Sequence, residues 1–316
     1  MTVDGAVFVE ARTEVEVARI GVMGLPYWRR VATELLRRAG FAPEEVVPAG
    51  RGGLVRWLGG RTWRRLGAVH HVGGPTVWRT AAGLRMTGRP VVWHWIGSDL
   101  LAFKRSRVIS LDRVLGRRAA GRWAAAHCAD SPQLAEELAA AGVAAAVVRL
   151  LPAKIEATVA DLPAEPAVLS YWSDEKFAFY QGPLVFDLAR AFPGVKFRIV
   201  GAGGRGVDAP PNVEFLGFLG DMEEAYRVST VLIRMPLHDS LSAMVLEMLA
   251  RGRYVIYNQP LECCHRAGSF EEAKASLAEI LERRGVNTAG AAMVRERFSL
   301  DVEAAKLKSL YARILK

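Results

Sequence analysis

The sequence predicts an α/β protein made of two parallel-sheet domains in tandem. At 316 residues the chain exceeds the size at which one hydrophobic core keeps growing. Short apolar runs alternate with helix-length amphipathic segments through most of the chain. A polar, proline-containing segment at residues 153–166 interrupts this alternation and predicts a linker. We therefore expect a first domain over residues 1–152, a second over residues 153–300, and a helix over residues 301–316 that packs back on the first domain.

Start and stop signals support the elements of the first domain. Gly40 ends one predicted helix and Gly142 ends another, while Ser131 and Pro132 suit the N-cap and the first position of a helix. Gly24 lies in the turn after the first strand. The predicted strands are residues 18–23, 69–72, 90–96 and 124–129, and the predicted helices are residues 28–39, 76–87 and 132–141.

The second domain repeats the alternation of strands and helices. Its predicted strands are residues 167–170, 195–200, 213–216, 230–233 and 254–257, and its predicted helices are residues 184–191, 222–228, 242–250 and 270–284, before the last helix that starts at residue 301. Strands separated by helix-length segments favour parallel sheets.

A glycine-rich sequence at residues 201–206, GAGGRG, matches the GxGxxG pattern of dinucleotide-binding sites. That pattern binds a pyrophosphate only where a helix begins directly after it. Here the next residues are VDAPPNVEF, whose two prolines and early return to a strand leave no room for a helix. We expect a glycine-rich turn, and no cofactor.

The net charge of +9 is divided unequally. Residues 1–152 hold 22 Lys and Arg against 12 Asp and Glu, whereas the rest of the chain holds 20 against 21. The excess predicts that the first domain faces an anionic partner, such as a nucleic acid, an acidic lipid surface or a phosphorylated substrate. No recognisable nucleic-acid-binding motif accompanies the arginines, so we do not expect nucleic acid.

Three cysteines without paired spacing predict neither a disulfide framework nor a zinc site. The N-terminus has no signal-peptide pattern, and no run approaches the roughly 18 apolar residues that a membrane-spanning helix needs. We expect a cytoplasmic protein.

Four motifs in the second half occur in a fixed order. Together they resemble the donor domain of GT-B glycosyltransferases, in particular the family-4 group that uses nucleotide-sugars. The motifs are Asp174-Glu175-Lys176 after a strand, Val200-Gly201-Ala202-Gly203 at the end of the next strand, the segment NVEFLGF at residues 212–218, and Asp239 seven residues before Glu247 on a helix.

The resemblance implies two Rossmann-like domains with a cleft between them and the transfer of a sugar from a nucleotide-sugar. Donor binding then falls on Lys176, Ser242, Glu247, Gly203 and Gly24, and catalysis on Asp239 and His94. Ser240 or Ser242 can cap the helix that carries Glu247, whose first N–H groups would bind the diphosphate. Glu247 would accept hydrogen bonds from the ribose, and Lys176 would neutralise the leaving group. A retaining reaction without a metal ion is expected.

Each of these side chains also has a structural interpretation. Lys176 suits a solvated surface, Asp239 can cap a turn, and His94 can be a hydrogen-bonded histidine of the interior. The chain also departs from the resemblance. Tyr171 replaces the basic residue expected five positions before Lys176, Asp239 replaces a glutamate, and the segments after Gly203 and Asn258 are short.

Residues 51–65, RGGLVRWLGGRTWRR, combine arginines with tryptophans. Such a segment suits the surface of an anionic membrane, which predicts a lipid-linked or phosphorylated acceptor and peripheral association with the inner face of the membrane. In the alternative interpretation the tryptophans belong to the core and the arginines to a solvated face. The residues expected on this acceptor side are Arg51, Arg56, Trp57, Arg61, Trp63, Arg64 and Arg65.

Two other functions fit the same sequence. One is a non-catalytic GT-B-like protein that binds an anionic membrane or a partner enzyme, which the loss of a basic residue at Tyr171 favours. The other is a nucleotide-sugar epimerase of the same fold.

Overall fold

Parallel sheets with helices on their faces organise residues 17–48, 53–74, 78–104 and 123–316, which are the residues described by the structure, a computed structural model. The first domain consists of β1 (Arg19–Gly24), α1 (Pro26–Arg38), β2 (Ala42–Glu45), α2 (Gly53–Gly59), a 3-10 turn (Thr62–Arg65), β3 (Ala68–Val72), α3 (Trp78–Met86), β4 (Val91–Trp95), α4 (Ser98–Lys104), β5 (Ala126–Ala129), α5 (Pro132–Ala140) and β6 (Ala146–Val147).

The second domain follows a linker that contains a 3-10 turn (Ala153–Glu156). It consists of β7 (Ala167–Tyr171), a 3-10 turn (Asp174–Lys176), α6 (Gly182–Ala191), β8 (Lys196–Val200), β9 (Val213–Gly217), α7 (Glu223–Arg227), β10 (Val231–Arg234), α8 (Ala243–Ala250), β11 (Tyr254–Tyr257), β12 (His265–Arg266), α9 (Phe270–Glu282), α10 (Thr288–Arg297) and α11 (Leu300–Ile314).

The order of the strands along the chain reverses once in each sheet. Within the described residues, the first sheet has six strands in the order β2-β1-β3-β4-β5-β6 and the second has six in the order β12-β11-β10-β7-β8-β9, all paired in parallel. The order reverses beside β1 in the first sheet and beside β7 in the second. In parallel sheets, ligands bind outside the carboxyl ends of the strands at such a reversal. The predicted α/β architecture is confirmed.

The central strands of each sheet are buried, as is typical of parallel sheets whose faces are covered by helices, whereas the outer strands β2, β6, β9 and β12 are partly exposed. All five residues of β4 and all four of β11 are buried. Burial of a large apolar side chain stabilises the fold by roughly 1.5–3 kcal/mol. The sheets are therefore rigid platforms whose loops present the polar groups.

The predicted helix signals of α5 are confirmed. Ser131 is the N-cap and its Oγ accepts a hydrogen bond from the N–H of Leu134 at 3.1 Å, with Pro132 at the first helical position. Gly142 follows the helix with a φ of +81°, a conformation that glycine adopts without strain. The glycine-rich turn is confirmed too, since residues 201–212, all described, contain no helix.

The last helix, α11, packs on the first domain. The Tyr311 hydroxyl lies 3.0 Å from Nδ1 of His70 on β3, and its ring lies 5.1 Å from the ring of Phe41. Arg38 of α1 donates to Asp301 at 2.6 Å. These contacts complete the core of the first domain with residues from the far end of the sequence.

Candidate active site

Polar residues lie at the carboxyl ends of three neighbouring strands of the second sheet. Tyr257, Arg234 and Tyr171 are the last residues of β11, β10 and β7, which are neighbours, and Arg234 pairs with Tyr257 in the register. The reversal of strand order lies between β10 and β7. These residues thus occupy the edge of the sheet where a ligand is expected.

Asp239, in the loop after β10, is hydrogen-bonded to two of these three residues. Its Oδ2 accepts a hydrogen bond from Nε of Arg234 at 3.0 Å and another from the hydroxyl of Tyr257 at 3.2 Å. Its Oδ1 accepts from the N–H of Ser240 at 3.2 Å. Because α8 begins only at Ala243, Asp239 is not the N-cap of that helix.

Glu247 lies in α8 and is 4% exposed. The hydroxyl of Tyr226 on α7 donates to its Oε2. Burial raises the pKa of Glu247, while the hydrogen bond from Tyr226 and the charge of Arg251 oppose this shift. A buried glutamate thus has the partner that burial requires, while its Oε1 accepts no hydrogen bond from the described residues.

The cap of α8 differs from the prediction. Ser242 occupies the N-cap position, but its side chain accepts no hydrogen bond from the helix. Ser240 does not occupy the N-cap position, and its Oγ donates to Oγ of Ser131 at 2.9 Å. The first N–H groups of α8, which have no partner within a helix, therefore have no side-chain cap from these serines.

Lys176 is exposed at the end of the short 3-10 turn after β7. Asp174 in the same turn accepts from the N–H of Gly203 at 3.1 Å, which ties this turn to the loop after β8. The Gly203 N–H is thus already hydrogen-bonded. A Cβ at Gly203 would also have room, so sterics do not require glycine there.

Gly24 ends β1 at the reversal of the first sheet. Its φ is +110°, and a Cβ at this position would lie 1.9 Å from the carbonyl oxygen of Val72. Glycine is therefore required for the backbone of β3 to approach this turn.

His94 does not line the cleft. It is 0% exposed, its Nδ1 lies 3.1 Å from Nε2 of His70, and its Nε2 lies 2.8 Å from the carbonyl oxygen of Val148. Burial lowers the pKa of His94 to about 4. The predicted position of His94 beside a donor sugar is therefore wrong. Its side chain is buried, and both of its ring nitrogens are hydrogen-bonded inside the first domain.

The two domains meet beside Asp239. Next to the Ser240–Ser131 hydrogen bond, Nε2 of His238 lies 3.3 Å from Oε1 of Glu137 on α5. A Cβ at Gly97, after β4, would lie 3.2 Å from Cβ of Ser240. Asp239 thus lies between the two residues of its loop that touch the first domain, at the contact between the domains.

Sequence reasoning missed Arg234, Tyr257 and Tyr226. Each ends a strand or lies in a short helix, and its partner comes from a different element. The only local signal was a charged residue at the end of the apolar strand VLIR.

In the basic segment at residues 51–65, the tryptophans and the arginines differ in their burial. Trp57 and Trp63 are half-buried against the core, and the indole N–H of Trp63 donates to the carbonyl of Leu58 at 3.0 Å. Arg56, Arg61, Arg64 and Arg65 are exposed, while Arg51 lies outside the described residues. The tryptophans therefore belong to the core, as in the alternative interpretation, and the arginines form a charged surface.

Among the described residues, no group of three or more His, Cys, Asp or Glu could hold a metal ion. No helix in this part of the chain is long and apolar enough to cross a membrane.

No protein-family description and no curated protein matches the sequence. Solved structures do resemble the fold. The chain is similar to HepE of Anabaena, solved in complex with UDP-glucose, with 13% identity, a TM-score of 0.68, and 93% of this chain and 99% of HepE covered.

Two further structures are similar over nearly their whole length. Sucrose-phosphate synthase of Thermosynechococcus elongatus has 13% identity and a TM-score of 0.68, with 94% of this chain and 98% of that chain covered. A glycosyltransferase of Rickettsia africae has 12% identity and a TM-score of 0.66, with 95% and 99% covered. The strand orders and these similarities together give the chain the GT-B fold of glycosyltransferases.

Proposed function

We propose that the protein is a glycosyltransferase that moves a sugar from a nucleotide-sugar to an acceptor. The donor binds to the second domain and the acceptor to the first. The observation that carries the proposal is Glu247, a buried carboxylate on α8 with one oxygen held by Tyr226. Structural neighbours solved with UDP-glucose or UDP support a nucleotide-sugar as the donor.

In this proposal, different residues of the second domain bind different parts of the donor. Glu247 accepts hydrogen bonds from ribose hydroxyls through its remaining oxygen. The first turn of α8 offers N–H groups and the positive end of the helix dipole to the diphosphate. Lys176, exposed on the neighbouring loop, neutralises the charge that develops on the leaving group.

Asp239 contacts the donor sugar at the border with the first domain. Ser131 and Glu137 hold the two domains together on either side of it, which keeps water away from the reacting bond. The reaction is retaining and needs no metal ion in this proposal. With His94 buried, the protein groups nearest the sugar come from Asp239 and its own loop.

A thermal-shift screen with UDP-, GDP- and ADP-sugars tests the donor site. Glu247→Gln keeps an acceptor for Tyr226 but loses the charge that strengthens hydrogen bonds to ribose. We expect the affinity for the donor to fall about tenfold, since a hydrogen bond to a charged group contributes roughly 1.5–3 kcal/mol.

Glu282→Gln, an exposed glutamate at the end of α9, is the matched control and should bind like the wild type. The donor-site proposal fails if no nucleotide-sugar stabilises the wild type. Binding without any transfer of sugar or release of nucleotide would instead favour a non-catalytic binding protein.

An anionic acceptor, held at the surface of an anionic membrane, fits the charge of the first domain. Arg61 and Arg64 are exposed, and Val55 on α2 and Met86 on α3, two helices that pack on one another, are 71% and 79% exposed. Cations and apolar side chains on one surface suit the headgroup region of an anionic bilayer.

Sedimentation with phosphatidylglycerol vesicles tests this surface. Arg61→Gln/Arg64→Gln should weaken binding by about 2 kcal/mol, at about 1 kcal/mol for each charge. Arg284→Gln/Arg295→Gln removes the same charge from exposed positions of the second domain and should change little. Equal binding to uncharged phosphatidylcholine vesicles would refute an electrostatic contact.

A further inference from the structure

Arg234 is a cation in the middle of the donor edge, which we define as the carboxyl ends of the neighbouring strands β11, β10 and β7. Its side chain is 11% exposed, and its guanidinium carbon lies 4.8 Å from the ring centre of Tyr180 and 5.8 Å from that of Tyr171. Such contacts are favourable cation–π interactions and fix the plane of the guanidinium. Arg234 is therefore held in one orientation before any ligand arrives.

The contact with Arg234 explains why a tyrosine is suitable at position 171. Tyr171 stands where the resemblance to other glycosyltransferases expects a basic residue for the diphosphate. Here the ring supports a guanidinium that comes from the adjacent strand β10. The positive charge is thus present at the donor edge, but it is directed at Asp239.

The two oxygens of Asp239 are not equivalent. A carboxylate oxygen accepts about two hydrogen bonds. Oδ2 already accepts two, from Nε of Arg234 and from the hydroxyl of Tyr257, and is filled. Oδ1 accepts only from the backbone N–H of Ser240, so one acceptor position remains on that oxygen among the described contacts.

Both donors to Oδ2 keep their protons. Burial lowers the pKa of Arg234, but the charge of Asp239, the hydrogen bond to it and the neighbouring Tyr180 and Tyr257 together raise the pKa above its ordinary value, so Arg234 remains a cation. Burial raises the pKa of Tyr257, and the charge of Asp239 raises it again. Both groups therefore remain donors to Oδ2 of Asp239.

We propose that Arg234 is a positioning residue for Asp239. Together with Tyr257 it fills Oδ2 and fixes the carboxylate, which leaves Oδ1 as the single acceptor for a hydroxyl group of the donor sugar. This inference rests on the proposed function, in which Asp239 contacts that sugar. It assigns to Arg234 a role in holding the sugar and none in holding the nucleotide.

Calorimetry with paired ligands measures this role. UDP, GDP and ADP are compared with UDP-, GDP- and ADP-glucose, and the ratio of the two dissociation constants for the best pair gives the contribution of the sugar. Arg234→Gln should reduce this ratio about tenfold, as Asp239→Asn does, while affinity for the nucleotide alone stays within about twofold.

Two further variants separate positioning from packing. Arg234→Gln combined with Asp239→Asn should lose no more than either single variant, because both remove the same interaction. Arg234→Lys keeps the charge and should restore part of the ratio. Arg198→Gln is the matched control, since Arg198 is another strand arginine of the same sheet with a carboxylate partner, Glu214, and should leave the ratio unchanged.

The outcomes distinguish the two proposals. If no nucleotide binds, the proposed function fails and the inference fails with it. If nucleotides bind but the wild type gains nothing from the sugar, or Arg234→Gln leaves the ratio unchanged, only the inference is overturned. Should Arg234→Gln not fold, Arg234→Lys and Tyr257→Phe decide, and an unchanged ratio in both overturns the positioning role.

Discussion

Buried histidines illustrate how the structure reassigns a residue. His70 and His94 are hydrogen-bonded to one another, and burial lowers the pKa of both, that of His94 to about 4. Two facing imidazoles can share a hydrogen bond only if at least one ring nitrogen is unprotonated. The pair therefore supports the core of the first domain as neutral rings.

Acid should destabilise the protein through these histidines. An unfolded histidine has a pKa of about 6.5, so the contribution of His94 is complete above that pH and is lost as the pH falls towards 4. Between pH 7.5 and pH 5 the wild type should lose about 2 kcal/mol more stability than His94→Gln. Urea unfolding at both pH values measures this difference, and equal losses would contradict it.

The resemblance to the GT-B donor domain, and not residue type alone, pointed to Asp239 and Glu247. Glu247 also stands out by its chemistry, because a glutamate in an otherwise apolar helix needs a partner if it is buried. Arg234 did not stand out, because its meaning depends on Asp239 and on Tyr180, which belong to other elements. His94 was misplaced because a sequence shows where a strand ends but not which way its side chains point.

At the scale of elements, strong hydrophobic patterns were sufficient to predict where a strand or helix lies, whereas weak patterns were not. The buried strands β4 and β11 and the capped helix α5 follow the predicted bounds closely. The strand β2 has the sequence APEE, which no β-propensity favours, and forms only because β1 offers it an edge to pair with. Tertiary pairing overrides local preference there.

The helix α11 should be sensitive to one buried carboxylate. Glu303 is 1% exposed and accepts hydrogen bonds from the backbone and side chain of Arg149 and from Lys306. Glu303→Ala leaves the partly buried N–H groups of Arg149 without this acceptor and should lower the free energy of unfolding by roughly 2 kcal/mol. Chemical denaturation measures the loss. Glu296→Ala, an exposed glutamate of α10, should change it by less than about 0.5 kcal/mol.

At the scale of the whole molecule, the domains are joined beside the site by short polar contacts. Glu137→Arg replaces the acceptor of His238 with a bulkier cation and should open the cleft at this point. Glu136→Arg makes the same change of charge on an exposed neighbour in α5. Small-angle scattering should show a wider distribution of distances for the first variant alone. Identical curves for both would mean that this contact does not hold the domains together.

The packing of Tyr311 against His70 has a consequence for biosynthesis. Residues 17–148 leave the ribosome first, yet their core lacks the aromatic ring and the hydroxyl that α11 supplies. The second domain can fold as a unit while the first waits, exposed, for the last helix to be synthesised. The core of the first domain is thus completed only after the last helix has been synthesised, and translation arrested before α11 would leave the amino-terminal core incomplete.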